Sequence, residues 1–256
     1  LAPTNDAFAQ LPDPFNNAAN ISNITDARTI AALGQILKYH VIMGTRTAAE
    51  LTNGSYGTLR TAVTPQNHLV FVGRNTAGNV YINGNAKVVT TDVFATNGVI
   101  HAIDKVLLPP SQAIGQVAMT TNNFSALYAA LKATGLTNTF FEPTYSFTVF
   151  APTDAAFAKL PAPFNTASAI KGIRDAAAIQ TLRDILLYHT VKNRVFSVDL
   201  REGIQAASLQ GGSVSISLAG GAKVKGNGNA SAANITATDI LAINGVIHAI
   251  DQVLMP

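Results

Sequence analysis

The sequence predicts an α+β fold made of two copies of one domain, and three observations carry that reading. The first is an internal repeat. Residues 1–16 (LAPTNDAFAQLPDPFN) return at 150–165 (FAPTDAAFAKLPAPFN) with eleven of sixteen positions identical at an offset of 149. Leu33–Gly44 returns as Leu182–Asn193 at the same offset, and Asn97–Pro109 returns as Asn244–Pro256 at an offset of 147 with eleven of thirteen identical. Three separated blocks recurring in the same order at offsets of 149, 149 and 147 mark a duplicated domain, and the period is far longer than a solenoid unit. The second is order: within each copy helical periodicity comes early and strand-like runs come late, the pattern of α+β rather than of a wound α/β sheet. The third is composition. At 48% apolar and 12% charged, the 256 residues carry enough apolar side chains for packed cores and too little charge for a disordered chain.

The elements follow in order. Thr4 or Asn5, and Thr153 or Asp154, can cap a short helix that Pro12 and Pro161 stop. A longer helix is expected over about 26–39 and 175–188. Ile30, Leu33, Ile36, Leu37 and His40 fall at helical spacing, as do Ile179, Leu182, Ile185, Leu186 and His189, giving one buried stripe in each copy. Asp26 and Asp175 sit in the first turn, where the helix dipole favours an acid. Strands are expected at 68–74, 79–82 and 86–91, and at 213–218, 222–225 and 234–238. Each copy closes with a hairpin, 92–95 with 99–106 and 239–242 with 246–253, turning at Asn97-Gly98 and Asn244-Gly245, where both turn residues are expected at φ above zero. The second copy alone has a preface, Ser111–Val149, which reads as a helix around 123–134 followed by a strand at 146–151.

The expected boundaries are therefore residues 1–110 for the first domain and 111–256 for the second. The first lacks the N-terminal helix and most of the first strand of the second. Losing them would bare a strand edge and apolar surface, so residues upstream of Leu1 are expected.

Several chemistries are excluded. With no cysteine there are no disulfides, thiol nucleophiles or cysteine-ligated metals. No run approaches the apolar length of a membrane-spanning helix, and no targeting signal is visible. The net charge of +3 is spread, with 7 basic and 6 acidic residues in 1–110 and 10 and 8 in 111–256, so no cation cluster suited to nucleic acid appears. Lys192, Arg194 and Arg201 read as a solvated face. The glycine-rich 220–228 lacks phosphate-loop spacing and reads as a β-turn segment, and no Gly-x-Ser-x-Gly elbow or His-Glu-x-x-His helix occurs. Six Asn-x-Ser/Thr sequons occur, at Asn20, Asn23, Asn53, Asn123, Asn229 and Asn234.

Four of the five histidines pair across the repeat: His40 with His189, and His101 with His248. His101 shares a strand face with Val99 and Ile103, which favours a core histidine over a ligand. His40 ends its helix, where the dipole would favour its protonated form, and Tyr39 beside it brings a hydroxyl. Packing is the favoured role there as well. No nucleophile stands beside either histidine, so neither a catalytic residue nor a cofactor or metal site is expected.

These residues resemble a known family. Phe147–Phe157 (FTVFAPTDAAF) is similar to the opening signature of the fasciclin domain, Tyr188–His189 within ILLYHTV to its tyrosine-histidine motif, and Asp239–Pro256 (DILAINGVIHAIDQVLMP) to its closing signature. The first copy carries all three, its opening cut at Leu1. The resemblance implies a wedge-shaped β-sandwich with helices packed at one side. It also implies a non-catalytic module of secreted, cell-surface or periplasmic proteins that adheres to cell-surface or matrix proteins, needs no cofactor and binds no nucleic acid. It leaves room for a membrane anchor upstream.

In some animal members the tyrosine-histidine region and an Asp-Ile stretch are implicated in receptor binding. Tyr39, His40, Tyr188 and His189 match the first, and Asp239 and Ile240 the second, which makes these the candidate partner-binding residues. Asn97, Gly98, His101, Asn244, Gly245 and His248 are the structural signature. Thr91 and Thr238 replace the basic residue that precedes Asp-Ile in the animal motif, which speaks against integrin recognition, and the stretch also reads as a core strand. The alternative function is an envelope module for a glycan or small neutral ligand, with Tyr56, Tyr81 or Tyr145 as an aromatic platform.

Overall fold

The computed structural model describes residues 1–256, which divide into two compact units, Leu1–Pro109 with Ser197–Asp199 and Pro110–Phe196 with Leu200–Pro256. In the first unit, strand β1 (Ala2–Pro3) leads into helices α1 (Asn5–Ala9), α2 (Ala18–Ser22) and α3 (Ala27–Tyr39). Strands β2 (Gly54–Gly57), β3 (Leu69–Arg74), β4 (Val80–Ile82), β5 (Ala86–Ala95) and β6 (Gly98–Ile103) follow. Their order in the sheet is β1-β6-β5-β4-β3-β2.

The second unit begins with α4 (Ile114–Thr120), a 3-10 turn, α5 (Ser125–Ala133) and α6 (Thr137–Phe141). It then repeats the plan of the first: β7 (Phe147–Pro152), α7 (Asp154–Phe157), α8 (Ala167–Lys171), α9 (Ala176–Tyr188), β8 (Thr190–Lys192), β9 (Gln205–Ala207), β10 (Ser213–Ser217), β11 (Lys223–Lys225), β12 (Ala233–Ala242) and β13 (Gly245–Ile250). The sheet order is β8-β7-β13-β12-β11-β10-β9. Apart from β1 and β7, which precede or interrupt the helices, each unit runs helices first and strands after, the α+β order.

The caps are more exact than the sequence reading. Asp26 and Asp175 lie one residue before the first turn, as N-caps, and accept the amide hydrogens of Thr29 (2.8 Å) and Ala178 (2.7 Å). Thr4 and Thr153 do the same for α1 and α7. Each cap contributes about 1 kcal/mol.

β7 and β13 run parallel in register from Phe147–Gly245 to Pro152–Ile250, and every residue of both is buried. Alternation explains this. Phe147, Val149, Ala151, Ile247 and Ala249 face a core under α4–α9, while Phe150 and Ile250 face a second core closed by Val214, Ile216, Val224 and Ala233 of the outer strands. The two ladders thus sandwich one core, and the helices cover the other side.

The first unit has the sandwich core (Val70, Val72, Ile82, Ala86, Ile103 and neighbours) but not the helix-covered one. The expected buried stripe therefore holds in α9, where Leu182, Ile185 and Leu186 are buried, and fails in α3, where Ile30 is 51% and Leu37 48% exposed. Nothing in the first unit corresponds to α4–α6, so burial at these positions depends on helices the motif itself does not encode.

Two further expectations change. The strand pairs written as 86–91 and 92–95, and as 234–238 and 239–242, are single ten-residue strands, β5 and β12, each with two register shifts, the second of them a bulge at Asp92 or Asp239. The hairpin turn residues also lie one position earlier than expected. Gly98 and Gly245 are already the first residues of their strands, paired with Ala95 and Ala242. Neither they nor Asn97 and Asn244 have positive φ. The glycine is needed for space, not for a left-handed turn: a Cβ on Gly245 would lie 2.2 Å from the Phe147 carbonyl oxygen.

Candidate functional site

The tyrosine-histidine pairs sit where the long helix ends and the chain enters the sandwich. All four side chains are buried. Tyr188 donates its hydroxyl hydrogen to the Ser213 carbonyl (2.6 Å) and accepts from the Asn227 amide (2.9 Å). Gly212 and Gly226 leave room for its ring; a Cβ on either would lie 2.9 Å from it. The glycine-rich 220–228 thus supplies the wall against which Tyr188 packs. In the first unit Tyr39 donates to the Leu69 carbonyl (2.7 Å) and accepts from the Asn83 side chain (3.3 Å).

The histidine that follows ties the helix to the chain end of its unit. His189 Nε2 accepts from the Leu254 amide (2.8 Å), which fixes the proton on Nδ1, and Nδ1–H donates to the Ile185 carbonyl (2.7 Å). His40 repeats this with the Leu107 amide (2.9 Å) and the Ile36 carbonyl (2.8 Å). Burial pushes both imidazoles down from 6.5 to about 4, with the bond to the helix carbonyl acting in the opposite sense. The sequence reading had the helix dipole favouring the protonated form. Desolvation and an amide donor aimed at the second nitrogen win instead, and both rings are neutral.

The closing histidines carry the opposite tautomer. His248 Nδ1 accepts from the Asp239 amide (3.3 Å), so Nε2–H donates to the Val195 carbonyl (2.8 Å). His101 does likewise between Asp92 (3.3 Å) and the Arg46 carbonyl (2.7 Å). Each reaches a left-handed aspartate, φ 56° at Asp92 and 59° at Asp239, at the bulge. Aspartate tolerates that conformation better than most residues. The Asp-Ile stretch is thus the bulge that the closing histidine grips. Asp239 is buried; Ile240 is half-buried, pairs with Ile247 and packs on the helix-covered core. Asp92 is half-buried, and its carboxylate accepts from the Ala48 amide (2.8 Å).

The two copies of the closing signature differ in what they hold. Asn244 is fully buried; its Oδ1 accepts from the Ile114 amide (2.8 Å), and its Nδ2 donates to the Phe140 and Glu142 carbonyls (3.0 Å each). It therefore staples the start of α4 and the end of α6 to the hairpin. Asn97 is exposed. Arg194, assigned from sequence to a solvated face, is half-buried and donates Nη2 to the Ala242 carbonyl (3.0 Å) and to that of Ile243. Spacing alone could not have found these partners, because the contacts span 48 to 130 residues.

Other candidates are also placed. The Tyr56 hydroxyl donates to the Thr52 carbonyl (2.9 Å), which makes it a loop anchor; Tyr81 is half-buried in β4, and Tyr145 is 46% exposed and stacks at 5.2 Å on Phe147. Of the sequons, Asn229 is buried, donating to the Val253 carbonyl and accepting from the Met255 amide. A cavity of about 490 Å³ in the first unit is lined by Leu1, residues 40–46 and residues 97–101. It lies where, in the second unit, the first residues of β7 run between β8 and β13, and its two histidines already have both ring nitrogens bonded.

Two copies of one sandwich, each with a tyrosine-histidine helix end and a histidine-gripped closing hairpin, define a tandem-repeat module whose signature residues form its frame. The fasciclin domain profile matches residues 1–109 and again 122–256. The chain belongs to the fasciclin-domain family. It is 32% identical over its whole length to the transforming growth factor-beta-induced protein ig-h3 of Sus scrofa, 34% of which it covers. It is 36% identical over 44% of its length to the cell surface glycolipoprotein MPB83 of Mycobacterium bovis, again covering 44% of that protein. The chain thus spans about a third to a half of these relatives. A domain pair from the insect cell adhesion molecule fasciclin I superimposes with a TM-score of 0.49 at 23% identity, covering 100% of this chain and 88% of that one. No helix is long and apolar enough to cross a membrane.

Proposed function

We propose that this chain is a non-catalytic adhesion and protein-interaction module that works outside the cell or at its surface, with a cell-surface or matrix protein as its partner. The observation that carries this reading is the fasciclin domain present twice in tandem. The use of the signature residues supports it. All four paired histidines have both ring nitrogens engaged by backbone groups, which leaves none to act as a general base or a ligand. On this reading the Tyr-His and Asp-Ile residues act on partner binding by holding the surrounding loops and hairpin, not by touching the partner. Two copies on one chain raise avidity where both engage at once.

The test is adhesion of cells or matrix-coated particles to the immobilised chain. Attachment several-fold above an albumin-coated surface is expected. Attachment no greater than to albumin, across mammalian, plant, fungal and bacterial cells, removes the reading.

A further inference from the structure

The second unit carries a cationic cavity outside the tyrosine-histidine and closing-hairpin frame. About 320 Å³ in volume, it lies where α5 and α8 end and is lined by Ala129, Lys132, Ala133, Lys171, Ile173 and Arg174. Ala129 and Ile173 are buried and Ala133 half-buried, so the floor is aliphatic; the three cations are exposed on the rim, and no carboxylate lines it. Three of the ten cations in residues 111–256 therefore meet at one place.

Cations near helix C-termini commonly offset the free carbonyls there. Arg174 does this at the end of α8, but the carbonyls at the end of α5 have other donors, and neither lysine is engaged by a helix-end carbonyl. Ala130, Leu131 and Lys132 accept from the amides of Thr134, Leu136 and Gly135, and Thr134 itself accepts from Arg183. Arg174 Nη1 donates to the Lys171 and Ile173 carbonyls, both at 2.8 Å, which fixes its guanidinium at the wall. The nearest carboxylate in sequence, Asp175, is engaged in capping α9. The repeat supplies a contrast. Ser22 and Thr25 stand where Lys171 and Arg174 do, beside the equivalent Ile24, and the cavity there is lined by Asp13, Asn20, Asn23 and Asp26 with no cation. The charge belongs to this unit and not to the fold.

We propose that this cavity receives an acidic peptide segment of a protein partner, its carboxylates on Lys132, Lys171 and Arg174 and its methylene stems on Ala129, Ala133 and Ile173. The aliphatic floor selects this class. A sugar ring or a nucleobase is held on flat aromatic faces, and none lines the cavity. A polyanionic backbone also needs cations along a track, whereas the charge elsewhere in the chain is dispersed. The proposal rests on the adhesion reading in that it names the chemistry of the partner.

The experiment titrates a fluorescent hexaglutamate peptide with the full chain at low and physiological salt. It repeats the titration with the triple variant Lys132→Gln, Lys171→Gln, Arg174→Gln and with a control, Lys192→Gln, Lys223→Gln, Lys225→Gln, that removes the same charge elsewhere. Binding weakened about tenfold or more by the triple variant and less than about twofold by the control is expected. Equal losses in both variants, no loss in either, no binding by the wild type, or tighter binding of a sulfated dextran of equal charge would each overturn it. Unfolding midpoints within about 2 °C of wild type are expected for both variants, because four of the six substituted positions are exposed and the other two, Lys223 and Lys225, are half-buried rather than in a core. Adhesion by a wild-type chain that fails the peptide test removes the cavity proposal and leaves the adhesion reading. Peptide binding mapped to the cavity in a chain that adheres to nothing does the reverse.

Discussion

Gly245→Ala is expected to destabilise the second unit by about 3 kcal/mol or more, while Gly98→Ala, at the same place in the repeat, leaves the first unit unchanged. A Cβ on Gly245 would stand 2.2 Å from the Phe147 carbonyl oxygen and 2.6 Å from the Ile114 side chain; on Gly98 it meets nothing within 4 Å. The obstacle is backbone at the first pair of a parallel ladder whose two strands are buried throughout, with the Ile114 side chain beside it, so neither side can give way cheaply. The neighbouring asparagine gives the same contrast by a different mechanism. Asn244→Ala leaves the Ile114 amide and the Phe140 and Glu142 carbonyls without their partner, at a cost of about 4 kcal/mol. Asn97→Ala, at an exposed position, stays within about 0.5 kcal/mol. Calorimetry of the four variants reads the result: the transition of the second unit falls by about 10 °C or more and that of the first does not move. Equal shifts in the two units would refute the packing argument.

Acid is expected to destabilise each unit in a window that lies mostly above the carboxylate range. His40 and His189 are held neutral down to about pH 4, against 6.5 in the unfolded chain. Above pH 6.5 neither state binds the proton, so stability does not depend on these groups. Between 6.5 and 4 the unfolded chain binds it and the folded chain does not, so stability falls as pH falls. Below about 4 both states are protonated and the loss levels off. One such histidine is worth about 3 kcal/mol across the window. His248, also pushed down by burial, adds to the loss in the second unit, with the Asp239 carboxylate opposing. Asp26, Glu50 and Glu202 are shifted downward by accepting hydrogen bonds, so their losses begin near the unfolded values of 3.8 and 4.5, touch only the lower edge of this window and continue below it. Urea midpoints measured from pH 7.5 to 4.5 should decline steadily below pH 6.5. A flat profile over that range would mean the imidazoles are not held as the hydrogen bonds describe.

Neither result follows from the motifs alone, which is instructive about what a sequence encodes. The repeat, the α+β order and the long helices were legible because they rest on identity at a fixed offset and on side-chain period, both local or internal properties. The closing histidines were legible as core residues because alternation in Val99–Ile103 placed His101 on an apolar face. The role of Asn-Gly was misread. Sequence suggested a left-handed turn, but the constraint is the approach of Phe147, 98 residues earlier, and the helix start at Ile114. Arg194 was misread for the same reason, since its carbonyl partners lie 48 and 49 residues away. The protonation of His40 and His189 also eluded a local argument, because the helix dipole is visible in sequence and the burial that outweighs it is not.

What the sequence determined by itself was the duplication, the class of fold and the family, since these depend on pattern and on residues whose identity recurs. Only the tertiary structure decided which copies of a motif are under strain and which are free. Gly98 and Gly245 share a tripeptide and a strand position, and Asn97 and Asn244 a turn. They differ because α4–α6 and the first residues of β7 press on one hairpin, whereas β1 pairs only with the far end of β6, at Ala102 and Ile103, and a Cβ on Gly98 meets nothing within 4 Å. Steric exclusion and desolvation act through space at a few ångströms, so identical residues acquire different energies from neighbours that their own segment does not specify.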